Sequence, residues 1–415
     1  MIETNRITLD NGLRIVHSRV STTAMAAFNI IYDVGSRDEN PELTGMAHLF
    51  EHLMFSGSQN VENFDKALEP AGGMNNAFTS QDFTNFYDIL PVHNIETAFW
   101  VESDRMLALS FSEKALEVQR NVVIEEFKQT CLNRPYGDLY HHLYSLAFTR
   151  HPYRIPTIGK EPDHIARVTN EDVRQWFFSH YAPNNAVLAV VGNIDFDEVV
   201  RLAEKWFGPI PRREIAVRNL PVEPEQTEAR RKVVQGNAPQ TMIVKAFPMP
   251  AHNAPGYRTC DIITDLLAFG QSSRFFRKLV IGSPFFSYAD AAVTGTQDPG
   301  LLMLTARVTD ESDATIAEAE RLLYEEACRL YTDAESLTPR ELQRSINRFE
   351  SNLTFNLMSN TQLALQLALC ELQGTDINHL VDDYRAITTD EIRRTAESIL
   401  SPTRSNTLIY RPKGK

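Results

Sequence analysis

The sequence has few cysteines, and none of them is spaced for a structural metal site or a disulfide framework. Cys131, Cys260, Cys328 and Cys370 lie far apart in a chain of 415 residues, and none forms a C-x-x-C pair. This pattern excludes a disulfide-rich scaffold and a cysteine-type zinc site. We expect four free thiols in a reducing compartment.

The sequence also lacks an excess of positive charge. It has 41 Lys and Arg against 54 Asp and Glu, which gives a formal net charge of −13. General nucleic-acid binders rely on neutralising phosphates, so we expect no nucleic-acid partner. An acidic surface would suit cationic substrates, although a solvated acidic surface is the commoner explanation.

No apolar run is long enough to span a membrane, and residues 1–6 have neither a basic start nor an apolar core. We therefore expect no membrane span. The expected location is cytoplasmic, or periplasmic if a preceding segment has been removed. The length allows two or three domains, and a hydrophobic content of 43% supplies enough apolar surface for large cores.

The most informative run is His48-Leu-Phe-Glu-His52, an H-x-x-E-H pattern. On a helix, His48 and His52 lie about 40° apart on one face, so both imidazoles can reach one metal ion. Glu51 lies on a neighbouring part of that face, close enough to hold a metal-bound water. Two neutral nitrogens and a nearby carboxylate suit a zinc-activated hydroxide.

The flanking residues predict a short helix over 45–55, with Thr44 as its N-cap and Ser56-Gly57 as its stop. The alternative is a surface helix that carries two solvated histidines. Apolar residues surround the polar trio, however, and ionisable groups in such a helix are costly unless they are paired or metal-bound. The metal-binding interpretation is therefore favoured.

Zinc needs a further protein ligand, and Glu125 and Glu126 on a second predicted helix are the candidates. Adjacent helical residues point about 100° apart, so only one of the two can face the site. Glu126 flanks the expected buried stripe of Val123 and Phe127, and Gln119 lies on the same face. The alternative is that both glutamates are solvated.

The chain repeats itself weakly. Residues 168–190 and 387–409 each read as a capped helix, a Pro turn and a strand, which indicates duplicated domains. The Pro-rich, charged stretch between them predicts an N-terminal metal-binding domain over 1–212, a linker over 213–229 and a C-terminal metal-free domain over 230–415. In the second half, Asp261, Thr264 and Asp265 align with the H-x-x-E-H trio, so only the first half is expected to hold metal.

Strands and amphipathic helices follow one another without strict β-α-β alternation. This pattern predicts an α+β fold of two related domains, each a largely antiparallel sheet with packed helices. The predicted strands include 26–32, 83–90 and 186–191, and the predicted helices include 95–108, 112–132, 314–331 and 339–357.

These motifs together resemble the inverzincin zinc peptidases of family M16, which include pitrilysin, insulin-degrading enzyme and the mitochondrial processing peptidase. Glu126 follows His52 by 74 residues, close to the family's spacing. Further matches are the residues around the motif, 45–58, and the runs Asn76-Ala-Phe-Thr-Ser and Tyr181-Ala-Pro-Asn-Asn. The resemblance spans the chain and is stronger in its first half.

The resemblance implies that His48, His52 and Glu126 bind one Zn²⁺ per chain and that Glu51 is the general base. It also implies an edge strand that takes the peptide substrate as an added β-strand. That strand would contain Asn76, Ala77, Phe78 and Thr79.

Two positions depart from the family pattern. Gln119 replaces an assisting glutamate, so its accessory role is in doubt. Val280 stands where an Arg of a carbonyl-gripping Arg/Tyr pair is expected, and Ser287 or Tyr288 stands near the Tyr. The partner is therefore expected to be a related metal-free subunit that carries the pair, or a second copy in a homodimer. Alternatively, Arg274, Arg277 or Tyr288 substitutes locally.

The expected function is a zinc-dependent endopeptidase subunit that hydrolyses unfolded peptides or small polypeptides. One alternative is a non-catalytic structural core subunit of a larger complex. The other is a metal-binding module without catalysis, which would not need Glu51.

Overall fold

A computed structural model describes residues 1–333 and 337–413. Within these residues six strands form a first sheet in the order β1-β2-β6-β3-β5-β4, in which β2 and β6 run parallel and the other neighbours antiparallel. The strands of this sheet are β1 (Asn5–Thr8), β2 (Arg14–Arg19), β3 (Met25–Tyr32), β4 (Met74–Thr79), β5 (Thr84–Pro91) and β6 (Ala186–Gly192).

Five strands among the described residues form a second sheet in the order β7-β11-β8-β10-β9. Its single parallel pair, β7 with β11, occupies the place that β2 and β6 have in the first sheet. Both sheets are thus largely antiparallel, as predicted. The strands of the second sheet are β7 (Arg230–Gly236), β8 (Met242–Met249), β9 (Phe286–Val293), β10 (Gly300–Val308) and β11 (Asn406–Pro412).

The helices have apolar faces that pack on these sheets or on one another, and short 3₁₀ and π turns connect several of them. They are α1 (Met46–Leu53), α2 (Phe64–Leu68), α3 (Glu96–Leu107), α4 (Glu113–Phe127), α5 (Leu139–Ala147), α6 (Pro162–Ala166), α7 (Asn170–His180), α8 (Phe196–Trp206), α9 (Tyr257–Ala268), α10 (Asp313–Thr332), α11 (Pro339–Leu357), α12 (Asn360–Gln373), α13 (Leu380–Arg385) and α14 (Thr389–Ile399).

The central strands of each sheet are buried on both faces. In β10, Leu302 and Leu304 join a core with α9, α10 and α14, while Leu301 and Met303 join a core with α5 on the opposite face. This follows from the period of two along a strand. In the first sheet, α12 packs against β2, β3 and β6, and the larger core includes side chains from α1, α3, α7 and α8.

The predicted repeat is visible in the structure. Thr169 caps α7 and Thr388 caps α14, each through its hydroxyl, and each helix is followed by a short 3₁₀ turn beginning at a proline and then by a strand, β6 or β11. The capping hydroxyls satisfy amides that have no partner inside the helix, so each helix start is stabilised in the same way.

The chain forms two compact units, and each draws on more than one stretch of sequence. The first consists of 1–127, 156–220 and 352–379, and the second contains the remaining residues. The segment with α5 therefore belongs to the unit of the second sheet, and the segment with α12 belongs to the unit of the first. The predicted division at 212 and 230 treats each domain as continuous, and it stays a prediction.

The predicted linker, 213–229, contains neither helix nor strand. Its two ends are nevertheless anchored by hydrogen bonds. In the first unit Arg213 donates to the carbonyl oxygens of Tyr181 and Leu107. In the second unit Glu223 accepts from the backbone amides of Thr149 and His151.

All four cysteines are buried thiols. Among the described helices, none combines the length and the apolar character needed to cross a bilayer.

Candidate metal centre and active site

The helix that carries the H-x-x-E-H run, α1, begins at Met46, and its N-cap residue is Gly45 rather than the predicted Thr44. Gly45 has a φ of 87°, in the left-handed region. A Cβ at this position would lie 2.4 Å from Ile165 Cδ1 and 2.9 Å from the carbonyl oxygen of Ile158. Both the conformation and the close approach therefore require glycine.

Gly45 has no side chain with which to cap the helix, and Glu39 takes that role from six residues upstream. Its Oε2 accepts a hydrogen bond of 2.8 Å from the Gly45 amide, and its Oε1 accepts one of 2.8 Å from the Ala47 amide. Burial raises the pKa of Glu39 to about 8, while these two backbone hydrogen bonds act in the opposite direction. Thr44 instead donates its amide hydrogen to Nδ1 of His164.

The two histidines of α1 meet a carboxylate of α4. Nε2 of His48 lies 3.2 Å from Glu126 Oε2, and Nε2 of His52 lies 3.6 Å from the same oxygen. The two imidazole rings are 4.8 Å apart at their centroids and nearly perpendicular. One oxygen of Glu126 therefore faces both rings.

This proximity changes the protonation of the group. Burial lowers the pKa of His48, but the hydrogen bonds to Glu126 and Glu51 outweigh it and raise that pKa to about 9. The same contacts with His48 and His52 hold the pKa of Glu126 well below its usual range. The cluster thus attracts positive charge and keeps its carboxylate ionised.

The donor set fits a catalytic zinc ion. Among the described residues, His48, His52 and Glu126 are the group whose metal-ligating atoms all lie within 4.8 Å of one another. Two imidazole nitrogens and one carboxylate oxygen match the ligand types of catalytic zinc sites, which keep a fourth position open. All three side chains are half-buried, so the site is reachable from solvent.

Glu51 lies beside this group and has a second partner. Its Oε2 is 3.6 Å from Nδ1 of His48 and accepts a hydrogen bond of 2.5 Å from Oγ1 of Thr79. Thr79 is the last residue of β4, which is the edge strand of the first sheet. The hydroxyl therefore connects the edge strand with the carboxylate of the motif.

The other predicted substrate-binding residues lie along β4. In the described part of the chain this strand pairs only with β5. Asn76 and Phe78 are exposed, whereas Ala77 is half-buried. The amide of Ala77 donates to Oδ1 of Asn76 at 2.8 Å.

Two family models match the chain. The model described as Insulinase (Peptidase family M16) matches residues 14–161, which include His48, Glu51, His52 and Glu126. The model described as Peptidase M16 inactive domain matches residues 167–349. The chain belongs to peptidase family M16.

Relatives in this family carry protease names. The zinc protease PqqE of Helicobacter pylori is 27% identical over 98% of this chain and 92% of its own length. The crystal structure of a protease from Helicobacter pylori has a TM-score of 0.90 at 26% identity and covers 99% of this chain and 100% of its own. The periplasmic protease PqqL of Escherichia coli has a TM-score of 0.80 at 20% identity, covering 99% of this chain but 48% of its own, and so shows the shared fold.

The three polar residues of α4 considered above, Glu125, Glu126 and Gln119, occupy different environments. Glu125 is exposed, whereas Glu126 faces the histidines. Gln119, at the position of the assisting glutamate, donates from Nε2 to Oγ of Ser56 at 3.1 Å. Ser56 follows the end of α1, so Gln119 lies on the side of α4 that faces α1.

The second unit has an M16 counterpart of α1 that lacks its ligands. The helix α9 also follows a left-handed glycine, Gly256, with a φ of 88°. Counted from these glycines, the positions of His48, Glu51 and His52 correspond to Thr259, Ile262 and Ile263. The earlier alignment gave Asp261, Thr264 and Asp265, and neither alignment supplies a histidine.

Two of the residues considered for the Arg/Tyr pair, Arg274 and Tyr288, are engaged in other contacts. Arg274 is buried and forms two hydrogen bonds of 2.9 Å with Glu341. Tyr288 donates its hydroxyl to Asp290 at 2.8 Å, and the guanidinium of Arg307 lies 4.8 Å from its ring centroid. Sequence patterns did not indicate Arg307, which reaches Tyr288 because the two residues are directly opposite on β10 and β9.

Two other contacts were missed from the sequence. The hydrogen bond from Thr79 to Glu51 joins residues 28 positions apart, and no periodicity links a strand end to a helix in this way. Glu39 could have been suspected, because an acid upstream of a helix that begins at glycine is a candidate cap.

Proposed function

We propose that this chain is a zinc-dependent endopeptidase subunit that hydrolyses unfolded peptides or small polypeptides. The observation that carries the proposal is the convergence of His48, His52 and Glu126, with Glu51 adjacent to them. The protease names of the full-length relatives support it.

One zinc ion per chain would be held by His48, His52 and Glu126. When bound, zinc supplies a Lewis acid for the scissile carbonyl and for the attacking water. Glu39 fixes the helix that bears both histidines, and the packing of α4 against α1 brings Glu126 to them.

Glu51 is the general base in this proposal. Its carboxylate accepts the proton from the attacking water at Oε1 or Oε2 and then passes that proton to the leaving amine. The hydroxyl of Thr79 holds Oε2 from the side of the edge strand and so orients the carboxylate. General acid–base catalysis of this kind contributes about 10²- to 10⁴-fold.

The substrate would add to the edge of β4 as a further strand. An extended peptide can pair with the backbone of residues 76–79, and its scissile bond would then pass near Thr79 and Glu51. A folded protein offers few free strands of this kind, so unfolded segments are the expected substrates. Asn76, Ala77, Phe78 and Thr79 form the proposed binding edge.

The chain is proposed to work with a second one. Val280 leaves the Arg/Tyr pair incomplete, and the chain covers only 48% of PqqL, a neighbour about twice as long. The proposed partner is a related metal-free subunit that supplies the pair, with a homodimer as the alternative. Mixing the chain with such a subunit should raise turnover, whereas high turnover of the pure chain that no partner changes would contradict the split site.

The experiment that tests the function combines metal analysis with cleavage of a quenched fluorescent peptide library. We expect one zinc per chain, cleavage that chelation abolishes and cleavage that zinc restores. Zinc without cleavage, with or without a partner subunit, would favour a metal-binding module without catalysis. Absence of both would overturn the proposal.

A further inference from the structure

One loop contacts both α1 and the turn that follows the edge strand β4. This loop, residues 33–39, follows β3 and is called the junction loop here. Its Ser36 and Arg37 amides donate to the carbonyl oxygens of Ser80 and Gln81, in the turn that joins β4 to β5. A Cβ at Gly35 would lie 2.5 Å from the carbonyl carbon of Gln81, so this close approach requires glycine.

Charged side chains hold the junction loop in place. The buried Arg37 pairs with Asp82 at 3.1 Å, across the contact with the β4–β5 turn. Arg218 donates to Asp38 at 2.7 Å and to Asp33 at 3.0 Å, so it binds the loop at two points. The loop is therefore fixed on both sides before it reaches Glu39.

Glu39 ends the junction loop and supplies both acceptors to the first turn of α1. This helix has 8 residues, and its N-cap residue has no side chain. The amides of a first turn have no partners inside the helix, so an external acceptor is needed to hold them. His48 is the third residue of α1, only one residue after Ala47, whose amide Glu39 binds.

We propose that Glu39 is a positioning residue for the proposed peptidase reaction. It holds the first turn of α1 so that His48 and Glu51 stay in register with Thr79 on the edge strand. The inference rests on the proposed function for its kinetic consequences, although its structural part is independent of that function. Glu39 touches neither metal nor substrate, and it acts through the backbone of Gly45 and Ala47.

The side chain of Glu42 offers a matched control. It is an exposed glutamate in the same stretch that precedes α1, and its side chain makes none of the described hydrogen bonds to that helix. Glu39→Ala removes both acceptors, whereas Glu39→Gln keeps one carbonyl oxygen and replaces the other with a donor. Glu42→Ala should therefore behave like the wild type. The losses of amide protection in α1, of zinc affinity and of kcat should be partial in Glu39→Gln and largest in Glu39→Ala.

The test uses the full chain with two readouts. In the metal-free chain, hydrogen exchange of the Ala47 and His48 amides should quicken about tenfold in Glu39→Ala, while exchange in β3 and β6 stays unchanged. In the zinc-loaded chain, zinc should bind about tenfold more weakly and kcat should fall while KM changes less than twofold. Glu39→Gln should recover part of each loss.

Wild-type exchange at Ala47 and His48 in Glu39→Ala would overturn the inference. So would equal losses in Glu39→Ala and Glu42→Ala, or unchanged zinc affinity and kcat despite faster exchange. Should the wild-type chain fail to bind zinc or to cleave peptides, the proposed function fails, whereas the exchange experiment still tests whether Glu39 holds α1.

Discussion

The hydroxyl of Thr79 donates a hydrogen bond of 2.5 Å to Oε2 of Glu51. This bond joins the last residue of the edge strand β4 to a carboxylate on α1. If the substrate adds to that edge, the strand that positions the peptide also orients the general base. The two functions would then share one contact.

Thr79→Val should lower kcat about tenfold while the chain keeps its zinc. A hydrogen bond to a charged group contributes about 1.5–3 kcal/mol, and 1.36 kcal/mol corresponds to tenfold in rate. Thr79→Ser keeps the hydroxyl and should keep most of the activity. Steady-state kinetics on a quenched peptide measure the effect, and equal rates for the Val and Ser variants would contradict it.

Glu51→Gln should keep zinc and lose cleavage by about 10²- to 10⁴-fold. The amide has nearly the shape of the carboxylate but cannot accept the proton of the attacking water. Metal content by elemental analysis and turnover on the same sample separate the two properties. If a zinc-loaded Glu51→Gln chain retains most of its activity, another group must be the base.

His48→Ala, His52→Ala and Glu126→Gln should each weaken zinc binding more than about 100-fold. Loss of a residue that merely supports a ligand already costs about 10- to 100-fold. Glu125→Gln is the matched control, because Glu125 is adjacent in sequence but exposed. Competition with a chelator measures these zinc affinities. A larger loss of affinity in Glu125→Gln than in Glu126→Gln would show that the third ligand is Glu125 and that the present assignment is wrong.

Gln119→Glu should fold, bind one zinc and turn over at least as fast as the wild type. The carboxylate can accept a hydrogen bond from Ser56, which Gln119 contacts now. Gln119→Ala removes the contact and should cost about 1 kcal/mol of unfolding free energy. Loss of zinc or a tenfold lower turnover in Gln119→Glu would show that the M16 position no longer tolerates an acid.

Local patterns predicted much of the fold. The bounds of α11 agree with the predicted 339–357, and the capped helix, Pro turn and strand occur in both halves as expected. These features depend on periodicity and on side chains close in sequence, which a single sequence displays directly. The H-x-x-E-H helix was predicted for the same reason, although it begins at Met46 and ends at Leu53.

Contacts between distant segments account for what the sequence did not reveal. The sequence favoured Glu126 over Glu125 through the buried stripe and the family spacing, but the distances from Glu126 to the two histidines depend on how α4 packs against α1. The cap from Glu39 comes from a loop rather than from the residue preceding the helix. Likewise, α5 and α12 pack in units that their place in the chain does not suggest.

A buried acidic pair in the first unit leads to a prediction about pH. Asp88 on β5 and Glu102 on α3 are both fully buried, and Arg105 lies 3.3 Å from Glu102. Among the described residues, no hydrogen-bond partner reaches the carboxylate oxygens of Asp88. Burial, with repulsion from Glu102, raises the pKa of Asp88 well above its ordinary value, although Arg105 acts in the opposite direction.

The sign of the effect follows from linkage. In the unfolded chain Asp88 loses its proton near pH 4, whereas in the folded chain it keeps the proton to higher pH. Its contribution to stability is therefore fully present below about pH 4 and is lost as the pH rises toward the raised folded pKa. Asp88→Asn stays neutral throughout, so it removes this dependence.

Urea unfolding of the wild type and of Asp88→Asn between pH 5 and pH 8 measures the difference. Relative to the wild type, the variant should gain stability as the pH rises, by up to about 1.4 kcal/mol per pH unit for one proton. Asp10→Asn, at an exposed aspartate in the same unit, serves as the control and should parallel the wild type. Parallel curves for Asp88→Asn and the wild type would mean that Asp88 is already ionised in the folded chain, with Arg105 compensating its charge.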